Sequence, residues 1–186
     1  MRIALIIGRK KSKRILNKNR KKFCGQPMIL WPIQTLKRSK MFDKIYLSTD
    51  DKITAKIARA HGVIIPFLRK KKLSGDHVST LEVVKDFINK TYDSKKNNFK
   101  SLCCVYASAP FFNVKDLKIS YNSLKNPRVD FSFIATYINN IFLRSFSIQK
   151  KKFHSLIKNS LSIELKIYQH AILTLGSFIG VKHNLG

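Results

Sequence analysis

Apolar runs and amphipathic patterns alternate along most of this chain. Strand patterns occur at 3–7, 44–49, 63–67, 102–106 and 130–137, and the first of them is a continuous apolar run of the kind found in buried parallel strands. Helical patterns fall between them, at 27–39, at 52–60, after a Ser79–Glu82 capping box, and from Asn113 to about 124. Alternating strands and helices with short links predict a parallel sheet wound by right-handed crossovers.

Three of the predicted helices carry further expectations. Pro32 lies inside the 27–39 pattern, where its missing N–H should kink or shorten the helix. Side chains expected to face the sheet are Ile53, Ile57 and Ala60 in the second helix and Leu81, Val84, Phe87 and Ile88 in the third.

The predicted fold class is α/β, with a Rossmann-like, three-layer, mostly parallel sheet. We expect one domain over residues 1–186. The pattern weakens beyond 139, where 144–157 suggests a hairpin with its turn at 149–152. The segment 161–186 is apolar and weakly patterned.

The first apolar run ends at Gly8 and opens into a basic loop. In open α/β sheets, ligands bind outside the carboxyl ends of the strands, and the backbone amides of such loops add a positive field. The loop therefore predicts a polyphosphate site for a nucleoside triphosphate, with a solvated basic loop as the alternative. Its cations and the hydrogen-bonding residues between them are Arg9, Ser12, Lys13, Arg14, Asn17, Lys18 and Asn19.

The charge of the whole chain broadens this picture. There are 37 Lys and Arg against 10 Asp and Glu, a net charge of +27, which points to a polyanionic partner. Lysines occur along almost the whole chain, however, so we expect most of them on solvated faces. No apolar stretch reaches the roughly 18 residues of a membrane span, and the start turns basic too early for a secretory signal. We expect a cytoplasmic protein with no membrane partner.

The residues from 6 to 31 resemble the N-terminal signature of the CMP-sugar (acylneuraminate-type) cytidylyltransferases. That signature reads roughly apolar-x-A-R-G-G-S-K-x-[IL]-x-x-K-N, followed by a Gly-Pro-[LM]-[IL] element. The matching positions are Arg9, Ser12, Lys13, Arg14, Ile15, Lys18, Asn19, Gly25, Pro27, Met28 and Ile29. Further segments at 46–51, 66–76 and 102–111 follow in the family's order, and the resemblance is closest to the pseudaminic acid branch.

The resemblance implies a fold of the nucleotide-diphospho-sugar transferase type and a defined reaction. CTP and a nine-carbon acidic sugar, of the pseudaminic or neuraminic acid type, would give a CMP-sugar and pyrophosphate, with Mg²⁺ as cofactor. Arg9 and Lys13 would be the catalytic cations, because they would stabilise charge on the leaving phosphate oxygens. The implied nucleotide-binding residues are Arg9, Ser12, Lys13, Lys18, Asn19 and Arg69, and the weaker substrate contacts are Asp50, Asp76 and Ser79.

For Asp50 and its neighbour Asp51, a plain role at a helix N-terminus stays open beside a substrate contact. A homodimer is expected by family analogy, with CTP and the acidic sugar as the small-molecule partners. A specific nucleic-acid partner is not expected. Such a partner would call for exposed aromatic side chains among the lysines, whereas Phe131 and Phe133 fall in a predicted strand.

The chain also departs from the family pattern. Lys10 and Lys11 stand where relatives carry two glycines, so we expect a changed loop geometry. In the late segment, His170 stands at the position of an aspartate that binds Mg²⁺, and imidazole is a poor ligand for that ion. The metal ligands are therefore unassigned, and 139–186 is expected to be divergent and truncated. An inactive family member and a basic nucleic-acid-binding protein are the two alternatives.

Overall fold

The structure is a computed structural model that describes residues 1–92, 99–138, 146–149, 152–155, 171–174 and 181–182, with side chains described up to residue 134. It contains α-helices α1 (Leu30–Ser39), α2 (Lys52–Ala60), α3 (Thr80–Thr91) and α4 (Val114–Ser123), and a short 3-10 helix at Lys71–Leu73. The strands are β1 (Arg2–Ile7), β2 (Lys22–Phe23), β3 (Gln26–Pro27), β4 (Lys44–Ser48), β5 (Ser101–Tyr106), β6 (Ala135–Ile138), β7 (Phe146–Gln149), β8 (Lys152–Ser155), β9 (Ala171–Thr174) and β10 (Val181–Lys182).

The central sheet has the strand order β10-β5-β1-β4. β1 pairs in parallel with β4 on one side and with β5 on the other, and β10 adds to β5 antiparallel. Successive residues of β1 point to opposite faces, so Ala4 and Ile6 pack into one core while Ile3 and Leu5 pack into the other. The first core takes α1, α2 and α4, and the second takes α3. The predicted three-layer, mostly parallel α/β fold is confirmed.

α1 begins three residues later than predicted. Pro27 belongs to the β2–β3 hairpin, and the helix starts at Leu30. Pro32 is thus the third helical residue, in the first turn, where N–H groups have no partner within the helix. Of the two expected effects, shortening is confirmed, since the helix covers Leu30–Ser39. A kink is not required, because the proline removes no helical hydrogen bond at this position.

Two predicted strands are shorter in the structure. The run at 63–67 forms only a single parallel bridge between Ile64 and Tyr46, next to Pro66, which has no N–H to donate. The strand predicted from 130 begins at Ala135 as β6. Phe131 and Phe133 precede it and are 62% and 51% exposed, so their predicted placement within a strand is wrong.

The predicted inward faces of two helices are corrected. In α2 the buried residues are Thr54, Ala55 and Ala58, whereas Ile53 is 49% exposed. Ile57 is partly buried against the same core, so only part of the predicted face is confirmed. In α3, Leu81 is 53% exposed. Val83 is buried in its place, beside Val84 and Phe87.

Side chains cap the N-termini of three helices. Asp51 accepts a hydrogen bond from the Ile53 amide at 3.1 Å and one from the Thr54 hydroxyl at 2.7 Å at the start of α2. The predicted capping box of Ser79 and Glu82 is present in α3, and Asn113 forms another in α4. The interpretation of Asp51 as a helix N-cap is confirmed.

The chain divides into two compact units, one of residues 1–134 with 176–186 and one of residues 135–175. In the second, β6 pairs with β9, and β7 pairs with β8 in the hairpin predicted at 144–157. A single domain over the whole chain stays a prediction. Among the described helices, none has the length and apolar character needed to cross a bilayer.

The inner face of α2 can be tested with two matched substitutions. Ala58 is fully buried and Ala60, on the same helix, is exposed. Ala58→Leu should lower the free energy of unfolding by about 1–3 kcal/mol because it overpacks the core. Ala60→Leu should change it by less than about 0.5 kcal/mol. Urea denaturation measures both, and equal losses would show that the face is assigned wrongly.

Candidate functional site

A cleft opens where the strand order of the sheet reverses. The chain passes from β1 to β4 on one side of the sheet and later to β5 on the other, and ligands of open α/β folds bind at such a switch point. The cleft has a volume of about 770 Å³. Ile7 and Gly8 at the end of β1 and Tyr106 and Ser108 at the end of β5 form its floor.

The lining of this cleft is strongly cationic. Six of its side chains carry positive charge, and a single described lining residue, Asp76, carries negative charge. Several positive charges in one cleft favour the binding of an anion that carries several negative charges. The six cations are Arg9, Lys11, Lys13, Arg14, Lys18 and Arg69.

Tight backbone packing sets the start of the cation loop. A Cβ at Gly8 would lie 2.7 Å from the Ala107 Cβ and 2.9 Å from the Asn19 Nδ2. The Asn19 side chain is 6% exposed and donates from Nδ2 to the Arg9 carbonyl at 2.9 Å. The backbone carbonyl of Asn19 accepts a hydrogen bond from the Ile29 amide at 2.8 Å. Asn19 lines the cleft, and its amide N–H holds the loop in place.

Asp76 joins two cations of the loop. Its Oδ1 lies 2.7 Å from Arg9 Nη1, and its Oδ2 lies 2.7 Å from Lys13 Nζ. Arg9 Nη1 also donates to the Gly75 carbonyl at 2.9 Å. The hydrogen bond from Lys13, followed by the charges of Lys13 and Arg9, lowers the pKa of the Asp76 carboxyl. The segment around Asp76 therefore lies against the cation loop.

Arg69 is the most buried cation of the cleft, at 5% exposed. Its amide donates to the Thr49 carbonyl at 2.8 Å, and its Nε donates to the Ser74 hydroxyl at 3.3 Å. Burial lowers the pKa of Arg69, and the nearby Asp50 carboxylate, 4.0 Å from Nη2, opposes that shift. The guanidinium is thus held in one place before any ligand arrives.

Asp50 acts on the protein itself. Its Oδ1 accepts from the Lys10 amide at 2.7 Å, in addition to facing Arg69. The side chain is outside the residues that line the cleft. The structure thus gives Asp50 a role in joining the cation loop to the Arg69 segment, while a direct substrate contact stays a prediction.

The remaining loop residues show how the chain turns without the two expected glycines. Among the described non-glycine residues, positive φ angles occur at Asn17, Cys24 and Lys40, so Lys10 and Lys11 need no left-handed backbone. Asn17, with φ 54°, takes the left-handed backbone of the turn, and its backbone carbonyl accepts hydrogen bonds from the amides of Arg20 and Lys21, each at 3.0 Å.

Burial, and then the charges of Arg14 and Arg9, lower the pKa of Lys18.

A hydroxyl-rich side of the cleft was not predicted as such. Tyr106 Oη lies 2.6 Å from Thr80 Oγ1, and Ser108 lies nearby in the lining. Ser79 also lines the cleft, but its hydroxyl donates to the Glu82 carboxylate at 2.7 Å within the capping box. A signal for both is present in the sequence, because Tyr106 ends a predicted strand and Ser108 follows it two residues later.

The structure gathers most of the predicted site residues. Their chemical roles stay predictions, and His170 lies outside the described residues. Among the described residues, no group of three His, Cys, Asp or Glu side chains could hold a metal ion. The predicted residues that line this one cleft are Arg9, Ser12, Lys13, Lys18, Asn19, Arg69, Asp76 and Ser79.

Comparison with known proteins gives a family. The sequence profile of the cytidylyltransferases matches residues 3–171. Pseudaminic acid cytidylyltransferase of Campylobacter jejuni serotype O:2 is 34% identical over 148 residues, 80% of this chain and 63% of that protein. The CMP-N,N'-diacetyllegionaminic acid synthase of the same organism is 32% identical over 108 residues, 58% of this chain and 46% of that protein. This chain therefore spans less than two thirds of the length of either relative.

Solved structures agree on the fold. A CMP:2-keto-3-deoxy-manno-octonic acid synthetase, determined in complex with CTP, matches with a TM-score of 0.70 at 12% sequence identity. The match covers 97% of this chain and 73% of that one. At this low identity the likeness supports the α/β fold alone.

The packing at Gly8 can be tested directly. Gly8→Ala should lower the free energy of unfolding by about 1–3 kcal/mol, because the new Cβ overlaps Ala107 and Asn19. Gly75→Ala is the control, since its Cβ would meet its nearest neighbour, Val78 Cγ2, at an ordinary 3.6 Å. That change should cost less than about 0.5 kcal/mol. Chemical denaturation compares the two, and a harmless Gly8→Ala would contradict the close approach.

Proposed function

Because the chain belongs to the cytidylyltransferase family, we propose that it transfers CMP from CTP to a nine-carbon acidic sugar of the pseudaminic or neuraminic acid type. The products are a CMP-sugar and pyrophosphate. The likeness to the pseudaminic acid enzyme covers 80% of this chain and that to the legionaminic acid enzyme 58%, which favours the pseudaminic type.

The observation that carries this proposal is the cationic cleft at the switch point of the sheet. Its six cations lie beside the ends of β1 and β5, where an α/β fold binds nucleotides. A triphosphate carries several negative charges on neighbouring oxygens and matches a cleft of this size and sign. The hydroxyl groups of Tyr106, Thr80 and Ser108 on the other side suit the polar groups of a sugar.

In the proposed reaction, the anomeric hydroxyl of the sugar attacks the α-phosphorus of CTP in line. A bond forms between that oxygen and the α-phosphorus, and the hydroxyl proton passes to water. The bond from the α-phosphorus to the bridging oxygen breaks, and pyrophosphate leaves with the electron pair. Arg9 and Lys13 bind the leaving phosphates and stabilise the charge that builds on them. The packing of Gly8 and Asn19 fixes the start of the loop at the Arg9 backbone before a ligand binds.

Arg69, Lys18 and Ser12 complete the phosphate site in this proposal. Arg69 is buried and fixed by hydrogen bonds, so its guanidinium offers a preorganised positive charge. Lys18 is partly desolvated, which strengthens its attraction for a phosphate oxygen. The Ser12 hydroxyl accepts only a long hydrogen bond, at 3.4 Å, from the Ile15 amide. In this proposal it orients a further phosphate oxygen.

Mg²⁺ is part of the proposal. The ion is held in many nucleotide sites by one or two carboxylates together with phosphate oxygens and water. The one carboxylate in the described lining, Asp76, has both oxygens paired with Arg9 and Lys13, so the ligands of the ion would come mainly from phosphate oxygens and water. When bound, the ion would neutralise charge on the phosphates. Cytoplasmic location and a homodimer belong to the same proposal and rest on its use of CTP and on family analogy.

The role of Lys13 can be measured against a matched lysine. Lys13→Met should weaken CTP binding about 10- to 100-fold, because a hydrogen bond to a charged group contributes roughly 1.5–3 kcal/mol. Pyrophosphate release, assayed with CTP and pseudaminic or neuraminic acid, should fall further still if Lys13 acts on the transition state. Lys21→Met removes an exposed lysine outside the cleft and should leave both quantities within about twofold.

Thermal shift on the same proteins separates this proposal from its rival of another class. CTP with Mg²⁺ should raise the melting temperature of the wild type and of Lys21→Met. A basic nucleic-acid-binding protein would be stabilised by an oligonucleotide and lose that stabilisation steeply with salt. Stabilisation by oligonucleotide but never by CTP would refute the cytidylyltransferase proposal.

The second alternative, an inactive family member, depends on His170. If the imidazole replaces a metal-binding aspartate, His170→Asp should raise the Mg²⁺-dependent rate of pyrophosphate release at least about tenfold, since Mg²⁺ prefers hard oxygen ligands. The control is His61→Asp, at an exposed position that ends α2. An active wild type whose rate His170→Asp does not raise would show that His170 is not the metal position.

A further inference from the structure

The two oxygens of Asp76 are each bound to a different cation of the proposed phosphate site. The ion-pair distances to Arg9 Nη1 and Lys13 Nζ are both 2.7 Å. A phosphoryl group offers oxygens at a similar spacing and would use the same two donors. Asp76 therefore contacts the two cations that a phosphate bound at this site would contact.

The other acids near the cleft are held differently. Asp50 accepts a hydrogen bond from the Lys10 amide, Asp51 from the Ile53 amide and Glu82 from the Ser79 amide. Asp50 also faces Arg69, but at the longer distance of 4.0 Å. Backbone amides fix those carboxylates into the fold. The partners of Asp76 are two cationic side chains, and these are groups that a ligand also needs.

The contact is also one that a ligand can open. The Asp76 side chain is 34% exposed and that of Lys13 is 80% exposed. Ion pairs at such exposure are weak, because water and salt screen them. Asp76 lies between the 3-10 helix at Lys71–Leu73 and α3, outside the regular elements, so its side chain can move away without breaking a strand or helix.

We propose that Asp76 is an internal competitor for phosphate: it occupies Arg9 and Lys13 in the ligand-free protein, and a nucleotide or pyrophosphate binds them by displacing its carboxylate. This inference rests on the proposed function, which supplies the phosphate ligand. Its consequence is that Asp76 weakens pyrophosphate binding and so favours departure of that product. If the ion pair were purely structural, loss of Asp76 would loosen the site and weaken pyrophosphate binding.

The test compares two variants that change the net charge equally. Asp76→Asn keeps the size of the side chain and removes its charge. Asp130→Asn removes the same charge from an exposed residue outside the cleft. Titration calorimetry with inorganic pyrophosphate, without metal, should give about fivefold tighter binding to Asp76→Asn than to the wild type, given the modest strength of exposed pairs. Asp130→Asn should stay within about twofold, because salt screens distant charges.

Each other outcome has a clear meaning. If the wild type binds pyrophosphate and Asp76→Asn binds it equally or more weakly, the competition is refuted while the proposed function stands. If neither pyrophosphate nor CTP binds the wild type, both proposals fail. Circular dichroism checks that the variants are folded, and Asp76→Ser, which also removes the charge, replaces Asp76→Asn if that protein is unfolded. In a Lys13→Met background the gain from Asp76→Asn should shrink, because one of the two contested cations is gone.

Discussion

The close approach of β1 and β5 at their carboxyl ends is the constraint on which the site depends. Gly8 lies so near Ala107 and Asn19 that no side chain fits there. Asn19 can then reach the Arg9 carbonyl and hold the loop at its first cation. The cations repel one another and could not arrange themselves. Neutral backbone packing therefore sets the geometry, and the charges act on a frame that is already built.

The few acids of the chain are used to keep that frame together. The whole sequence has 10 Asp and Glu, and Asp50, Asp51 and Asp76 all lie in or beside the cleft segments. Asp50 ties the loop amide of Lys10 to the Arg69 segment, and Asp51 caps α2. Asp76 instead pairs with cations on the ligand side. Acids placed behind the cations stabilise the site, whereas an acid placed among them competes with its ligand.

Sequence patterns were sufficient for features that depend on local chemistry. The parallel strands, the capping boxes at Ser79 and Asn113 and the hairpin β7–β8 follow from short runs of residues. The inner face of α2 is harder to predict, because the fully buried residues Ala55 and Ala58 are small and the apolar Ile53 lies outside the core.

The composition of the cleft is predictable only in part, because some of its residues come together through contacts between distant parts of the chain. Five of its six cations lie between Arg9 and Lys18, but Arg69 comes from a later segment and Tyr106 reaches them through the pairing of β5 with β1. Asp76 was predicted only as a weak substrate contact, because its partners Arg9 and Lys13 lie more than 60 residues earlier, with a separation of 66 between Arg9 and Gly75. Contacts of that range depend on the assembled sheet and leave no local pattern.

The high net charge of +27 does not by itself explain the cleft, because exposed lysines and the partly buried cations of the cleft differ in hydration. A surface lysine acts through water, and salt screens its field within about 8–10 Å. Lys18 and Arg69 differ because burial lowers the pKa of both, which means that their charges have lost part of their hydration. A bound polyanion would restore that lost stabilisation, so these two cations gain more from a phosphate than an exposed lysine does. Lys10 and Lys11 are exposed and need no left-handed backbone, and the Lys10 amide donates to Asp50, so the loop forms without glycine at these two positions.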